Sequence, residues 1–139
     1  MILLDTNVGI ALRRPEIDPI FVAWLDTQPP ESIWTTSITV LEVRFGLEIL
    51  ASGRRRRALE EAFSKMLEED FEGRVVPFDD AAAQSAGRIA AERRRSGRTI
   101  EIRDVQIAGI AAARRAAIAT RNLRHFEGLG PELIDPWSA

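Results

Sequence analysis

Carboxylates dominate the side chains of this sequence that could do chemistry. Asp5 follows a short apolar run, Glu42 follows a second one, and Asp104 opens an alanine-rich stretch. The chain has no cysteine and no tyrosine, and His125 is its only histidine. Cysteine chemistry and a catalytic histidine pair are therefore excluded, and any catalysis must rest on the three acids.

Three carboxylates that share one pocket would suit a divalent cation. Mg²⁺ and Mn²⁺ prefer oxygen ligands, and Mg²⁺ keeps several waters and is commonly held by one or two carboxylates plus a substrate phosphate. A bound cation also makes water a stronger acid, so hydroxide becomes available near neutral pH. Such a set would permit hydrolysis of a phosphodiester by metal-activated water, without any histidine.

Each acid also has a purely structural explanation. Asp5 could cap a helix, and the spacing from Thr39 to Glu42 matches a capping box. Asp104 could be a first-turn acid that answers the positive end of the helix dipole. Taken singly, these explanations account for each acid as well as catalysis does.

The elements that must position the acids alternate between strand-like and helical patterns. Hydrophobic spacing predicts one helix that begins near residue 8 and ends at Pro15, and another that begins near residue 19. Further helices are predicted over 39–50, 58–67, 82–90 and 105–111, and Asp79 is placed to cap the helix over 82–90. Strands are predicted at 2–4, 32–36, 75–78, 117–120 and 132–134. This alternation predicts an α/β fold of three layers, with a mostly parallel central sheet flanked by helices on both faces.

The predicted sheet also predicts where the acids meet. In open α/β sheets, sites form beyond the carboxyl ends of the strands, where Asp5 and the residues after Thr120 would lie. Glu42 and Asp104 would then approach from helix N-termini, whose partial positive charge favours carboxylates. The three acids are therefore expected in one pocket.

Composition limits the class of protein. A chain of 139 residues that is 45% hydrophobic and 29% charged fits a single domain over residues 1–139. The absence of cysteine fits a reducing compartment, so a cytoplasmic location is expected. No signal peptide or membrane-length apolar run is recognisable, so we expect a soluble protein without a membrane partner.

Charge is distributed unevenly along the chain. The net charge of −2 argues against general adhesion to nucleic acid. Arginines nevertheless cluster at 54–57, 93–95 and 114–115, and guanidinium groups suit bidentate contacts with phosphate. A solvated helix face is the plainer explanation of any single cluster.

Two other α/β classes place acids at strand ends, namely phosphatases of the haloacid dehalogenase type and phospho-acceptor receiver domains. Both need a lysine near the phosphoryl group. Lys65 is the only lysine, and it is predicted in mid-helix, one turn from Glu61. The sequence therefore argues against both classes.

Four segments, in this order and spacing, resemble the PIN-domain family, and within it the VapC toxins, including the FitB-like branch, of bacterial toxin–antitoxin pairs. They are residues 3–7 (LLDTN), 37–46 (SITVLEVRFG), 103–108 (RDVQIA) and 120–130 (TRNLRHFEGLG), and the resemblance continues to the tail at 134–137 (IDPW). It implies the same sheet-and-helix fold. It also implies a Mg²⁺- or Mn²⁺-dependent endoribonuclease that acts on structured RNA such as tRNA or rRNA.

The same resemblance assigns roles to individual residues. Asp5 and Asp104 would be the main metal ligands, and Glu42 would complete the site as a ligand or by orienting the nucleophilic water. Thr6 would support the site by hydrogen bonding. Asn122 stands where many relatives have a fourth acid, and an amide oxygen adds no negative charge. We therefore expect one firmly held cation, with a second only when RNA phosphate helps to bind it.

Three nearby residues complete the expectations for this region. His125 stands where relatives often have aspartate, and we interpret it as a surface imidazole on a loop. Glu101 is expected to be a solvated loop acid. Arg44 would face either the pocket or a dimer interface.

Partners follow from the resemblance as well. It implies a homodimer and a small VapB- or FitA-like antitoxin whose C-terminal segment places an arginine among the carboxylates, which bidentate pairing makes physically reasonable. Two alternatives stay open. One is a catalytically silent PIN domain that binds RNA or protein, and the other is a metal-dependent DNase.

Overall fold

A five-stranded sheet forms the centre of the fold. The structure is a computed structural model, and it describes residues 1–5 and 19–138. The strands are β1 (Ile2–Leu4), β2 (Ile33–Thr36), β3 (Val75–Val76), β4 (Ala117–Ala119) and β5 (Leu133–Ile134). Their order is β3-β2-β1-β4-β5, and every neighbouring pair is parallel. The predicted α/β fold is confirmed, and the described sheet is parallel throughout.

Helices connect these strands. They are α1 (Pro19–Asp26), α2 (Ser37–Glu48), α3 (Arg54–Lys65), α4 (Asp80–Arg95), α5 (Ile102–Arg114) and the short α6 (Leu123–Phe126). A 3-10 turn over Pro30–Ser32 precedes β2, and a π-helical turn over Met66–Asp70 extends α3. The helix predicted from residue 8 to Pro15 lies outside the described residues. Among the helices of residues 19–138, none combines the length and apolar character needed to cross a bilayer.

The two faces of the sheet bury separate hydrophobic cores. Leu3 and Ile118 contribute to one core, which α4 and α5 cover, and Leu4 and Ala119 contribute to the other, which α1 and α3 cover. Successive side chains of a strand point to opposite faces, so one short strand supplies both cores. This arrangement confirms the three predicted layers.

The starts of two helices decide two of the predictions, one against and one in favour. The hydroxyl of Thr36 accepts a hydrogen bond from the backbone N–H of Thr39 at 3.2 Å, so α2 begins at Ser37. The proposed capping box from Thr39 to Glu42 is therefore wrong, and Glu42 lies within the helix. The predicted cap of α4 is confirmed, because the Asp79 carboxylate accepts from the N–H of Ala82 at 2.9 Å.

Candidate functional site

The site begins at the carboxyl end of β1 and β4. The backbone N–H of Asp5 donates to the carbonyl of Ala119 at 3.0 Å, which places Asp5 beside the end of β4. The buried hydroxyl of Thr120 donates to Asp5 Oδ2 at 3.0 Å and accepts from the N–H of Asn122, also at 3.0 Å. Thr120 therefore orients the Asp5 carboxylate and holds Asn122 near it, a role that the sequence analysis did not assign.

Asp104 approaches this edge from the first turn of α5, and its side chain is only 16% exposed. Burial raises the pKa of Asp104 to about 6 from its ordinary value of 3.8, while the charge of His125 opposes the shift. The negative charges of Asp5, Glu101 and Glu42 raise this pKa further. Because such effects weaken with distance and solvent screening, these acids must lie around Asp104. Asp5 and Glu42 thus lie near enough to Asp104 for their charges to act on its carboxyl group.

Two basic side chains lie against the acids. His125 Nδ1 is 3.3 Å from Asp104 Oδ2, and Arg103 Nη1 is 3.6 Å from Glu42 Oε2. His125 was expected to be a surface imidazole on a loop. Its side chain is exposed, as expected, but it lies on α6 and not on a loop, and it contacts an acid of the site. Arg103 was not singled out from the sequence, although its place directly before Asp104 was a usable signal.

Three further polar residues were expected in or near the site, namely Asn122, Glu101 and Thr6. Asn122 is half-buried and precedes α6 without capping it through its side chain. Glu101 is exposed, as expected, but its carboxylate accepts from the N–H of Arg103 at 3.5 Å and so caps α5. Thr6 lies outside the described residues.

Several arginines prove to be structural. Arg44 Nη1 lies 3.4 Å from Glu48 and 3.3 Å from Glu60, so its ion pairs join α2 to α3 and do not involve the acids of the site. Of the two positions expected for Arg44, the dimer interface stays a prediction. In the 54–57 cluster, Arg56 pairs with Glu48 at 2.7 Å and with Glu60 at 2.9 Å. Arg93 donates to the Thr99 carbonyl at 2.8 Å. These three side chains therefore make contacts within the chain itself.

The donor set fits a hard divalent cation. Carboxylate and amide oxygens are the ligand types that Mg²⁺ and Mn²⁺ prefer. In residues 1–5 and 19–138, no three acidic or histidine side chains converge closely enough to hold a metal by themselves. A cation bound here would therefore rely on one or two of the carboxylates and on water, as Mg²⁺ commonly does.

We expect the substitution Asp104→Asn to stabilise the metal-free protein at pH 7. Between pH 3.8 and about 6, the folded carboxyl keeps a proton that the unfolded chain has lost, so the free energy of unfolding falls as pH rises through this window. The full change in pKa corresponds to about 3 kcal/mol, and solvent screening of this half-buried group reduces the expected gain to about 1–2 kcal/mol.

Urea unfolding in chelator at pH 4, 5, 6 and 7 measures this effect. The difference between Asp104→Asn and the wild type should grow from near zero at pH 4 to its full size at pH 7. Saturating Mn²⁺ should then stabilise the wild type more than the variant. A difference that stays constant from pH 4 to pH 7 would contradict the charged environment described for Asp104.

Known proteins are similar to this chain in sequence and in fold. The family model of the PIN domain matches residues 2–129. The chain is 38% identical to VapC ribonuclease Y4jK of Sinorhizobium fredii, covering 99% of this chain and 98% of the relative. It is 34% identical to toxin FitB of Neisseria gonorrhoeae, covering 99% of both chains. It is 35% identical to the tRNA(fMet)-specific endonuclease VapC of Shigella flexneri, covering 98% of this chain and 97% of the relative.

Solved structures agree with these matches. The crystal structure of FitAcB from Neisseria gonorrhoeae superposes with a TM-score of 0.89 at 33% identity, covering 100% of both chains. DNA-bound VapBC from Salmonella typhimurium superposes with a TM-score of 0.73 at 32% identity, covering 97% of both chains. Sequence and fold lead to the same conclusion: the chain belongs to the PIN-domain family.

Proposed function

We propose that this chain is a Mg²⁺- or Mn²⁺-dependent endoribonuclease and the toxin of a VapBC-type toxin–antitoxin pair. The observation that carries the proposal is the placement of two carboxylates at one edge of the sheet: Thr120 orients Asp5 beside the end of β4, and the largely buried Asp104 approaches from the first turn of α5. The raised pKa of Asp104, to which Asp5 and Glu42 contribute, agrees with this placement. Such a concentration of negative charge is what a divalent cation would stabilise. Nucleases with PIN domains generally depend on a divalent metal, and the chain's relatives include proteins named as ribonucleases.

Each acid of the site has its own role in this mechanism. Asp5, oriented by Thr120, and Asp104 hold the cation, while Glu42 is a further ligand or orients the attacking water. A bound cation supplies the positive charge that activates water and neutralises the phosphate. Water attacks phosphorus in line, forming one P–O bond as the bond to the 3'-oxygen breaks. The products are a 5'-phosphate and a 3'-hydroxyl.

Asn122 limits the charge of the pocket. Its amide contributes a neutral oxygen at the position where the family resemblance leads one to expect a fourth acid. With three acids, and with His125 and Arg103 beside two of them, the site binds one cation firmly. A second cation binds only together with RNA phosphate.

An apolar stripe on α2 supports a protein partner. Leu41 and Phe45 of α2 and Ile49 at its C-terminal cap follow one another at intervals of four residues, and each is more than half exposed. Glu42 lies on the same helix, so a chain that covers this stripe would run beside the pocket. We propose that a segment of a VapB- or FitA-like antitoxin covers this stripe. We also propose that the chain forms a homodimer and that it acts in the cytoplasm.

Cleavage of a tRNA transcript and a matched DNA strand tests the activity. We expect the purified chain to cut the RNA in Mg²⁺ or Mn²⁺, to leave 5'-phosphate and 3'-hydroxyl ends, and to stop in excess chelator. Products with 2',3'-cyclic phosphate, or full activity in chelator, would overturn this mechanism. Equal cleavage of DNA would favour the DNase, and failure to bind millimolar Mn²⁺ would favour the silent RNA- or protein-binding module.

A further inference from the structure

The turn between α4 and α5 brings two arginines together. Gly97 leaves the helix with a φ of 72°, and its N–H donates to the carbonyl of Arg94 at 3.0 Å. The N–H of Arg98 donates to the carbonyl of Arg93 at 3.1 Å. These two bonds define a Schellman motif, in which the positions of Arg93 and Arg98 frequently make a hydrophobic contact. Here both positions carry a positive charge.

The guanidinium groups of Arg93 and Arg98, the arginine pair, converge on one neutral oxygen. The Nη1 atom of each donates to the backbone carbonyl of Glu127, and both distances are 3.4 Å. Arg93 Nε also donates to the carbonyl of Thr99 at 2.8 Å, which fixes this side chain. Neither guanidinium forms an ion pair with a carboxylate in the described part of the chain. Two positive charges therefore lie side by side with only a carbonyl dipole between them.

The loop after α6 is shaped to receive the arginine pair. Gly128 has a φ of 78°, in the left-handed region that favours glycine. A Cβ atom at this position would lie 3.0 Å from Arg98 Nη1, closer than ordinary van der Waals contact. Glycine thus allows both the backbone turn and the approach of the guanidinium.

The arginine pair lies at the edge of the sheet that carries the acids. The turn leads into α5, whose first turn holds Asp104. Glu127 directly follows α6, and His125 of that helix is 3.3 Å from Asp104. Because α6 is a single turn about 6 Å long, a few nucleotides of RNA can reach from the acids to the pair.

We propose that the arginine pair binds one phosphate of the RNA substrate, separate from the scissile phosphate at the acids. This inference rests on the proposed function. A phosphate supplies the negative charge that the pair lacks, and its oxygens accept from the in-plane N–H donors of both guanidiniums. Because the turn already holds the two side chains together, less side-chain freedom is lost when RNA binds.

Electrostatics explains why a second contact is needed. The acids repel RNA phosphates, and the pair places positive charge at the same edge of the sheet, where it offsets this repulsion. A substrate that spans both sites gains the contact, whereas a very short one does not. The pair therefore selects RNA that is longer than the cleaved step.

The test is the affinity for a tRNA transcript, measured by fluorescence anisotropy at several salt concentrations. All proteins in this assay carry Asp5→Asn, so that the RNA stays intact. Arg98→Gln should weaken binding about tenfold and lower the slope of log affinity against log salt by about one. Arg98 is chosen because its side chain contacts only the Glu127 carbonyl among the described residues, whereas Arg93 also holds the turn. Arg98→Lys keeps the charge without the planar fork and should recover only part of the affinity.

Two controls separate phosphate binding from a structural role. Arg115→Gln removes the same charge where α5 ends, at the opposite edge of the sheet, and should change RNA affinity less than about twofold. With Asp5 intact, Arg98→Gln should raise KM about tenfold and change kcat less than about twofold, because the contact is the same before and during the reaction. Its thermal midpoint without RNA should not fall, since the substitution removes repulsion between like charges.

The outcomes distinguish this inference from the proposed function. Unchanged RNA affinity in Arg98→Gln, in a parent that binds RNA, overturns the inference and leaves the nuclease standing. Weaker binding in Arg98→Gln, with no cleavage by the wild type, supports the phosphate site and defeats the nuclease. Equal losses in Arg98→Gln and Arg115→Gln, or a lowered thermal midpoint in Arg98→Gln, would also overturn the inference. So would unchanged affinity for RNA together with weaker binding of poly-glutamate, which would assign the pair to an acidic protein segment.

Discussion

Replacement of Asp5 by asparagine is expected to lower metal-dependent RNA cleavage about a thousandfold, which corresponds to about 4 kcal/mol of lost transition-state stabilisation. The amide has nearly the shape of the carboxylate, and its oxygen can still accept the hydrogen bond that Thr120 donates to Asp5 at 3.0 Å. The substitution therefore removes charge without removing the contact. The thermal midpoint should stay within a few degrees of the wild type.

A matched control is available at the opposite edge of the sheet. Glu132 is exposed and directly precedes β5, whereas Asp5 directly follows β1, and all described strands are parallel. Glu132→Gln removes the same charge far from the pocket and should leave cleavage unchanged. Initial rates with labelled tRNA, together with Mn²⁺ titration of both variants, measure the difference. Unchanged cleavage by Asp5→Asn would mean that a contaminant or another site is responsible.

The second large effect concerns stability at Gly109, in the middle of α5. A Cβ atom at this position would lie 2.6 Å from the carbonyl oxygen of Ala82 and 2.6 Å from the Cβ of Ala86, both on α4. Only glycine allows this approach, because the atoms that would clash belong to backbone or to the start of a side chain and cannot rotate away. The two helices pack closely because position 109 has no side chain.

We expect Gly109→Ala to lower the free energy of unfolding by about 2 kcal/mol. Alanine gains about 1 kcal/mol over glycine in a helix interior, whereas forcing an atom into this contact costs about 3 kcal/mol, the upper end of typical overpacking penalties. Since α5 also carries Asp104, moving α5 away from α4 should lower cleavage as well. Urea unfolding and cleavage rates measure the two effects.

Gly87 supplies the control for this substitution. It lies in α4, it is exposed, and nothing stands within 4 Å of a Cβ built there. Gly87→Ala should therefore stabilise the protein by about 0.5–1 kcal/mol through helix propensity alone. If both substitutions change stability in the same direction, the close helix contact at Gly109 is not the cause.

Local sequence patterns predicted most of the fold. The alternation of short apolar runs with helical stripes predicted the five described strands, and Asp79 was recognised as a helix cap from its place before the stripe. These features depend on residues a few positions apart, so they are readable without tertiary information. The strand ends were less accurate: β3 stops at Val76, whereas the prediction ran to residue 78. The four-residue α6 is too short for a helical period and was not predicted.

The candidate site was predicted only in part. By itself, the sequence determined which chemistry is available: with no cysteine and one histidine, carboxylates and a cation are what remains. It also placed Asp5 directly after a predicted strand. In a parallel sheet the carboxyl ends of the strands lie at one edge, so the site was expected at that edge. The proximity of Asp104 and Glu42 to Asp5 was an expectation that needed the fold.

Only the tertiary structure decided which side chains meet. His125 contacts Asp104 because α6 and α5 pack together, and Arg121 contacts Trp137 because β5 returns the tail to the end of β4. Each pair is separated by sixteen residues or more of chain, a distance at which no local period constrains the approach. Local sequence preference determines which segments form helices and strands. The burial of a hydrophobic core on each face of the sheet then determines which helices and strands pack together. This packing decides which charged side chains surround the three acids.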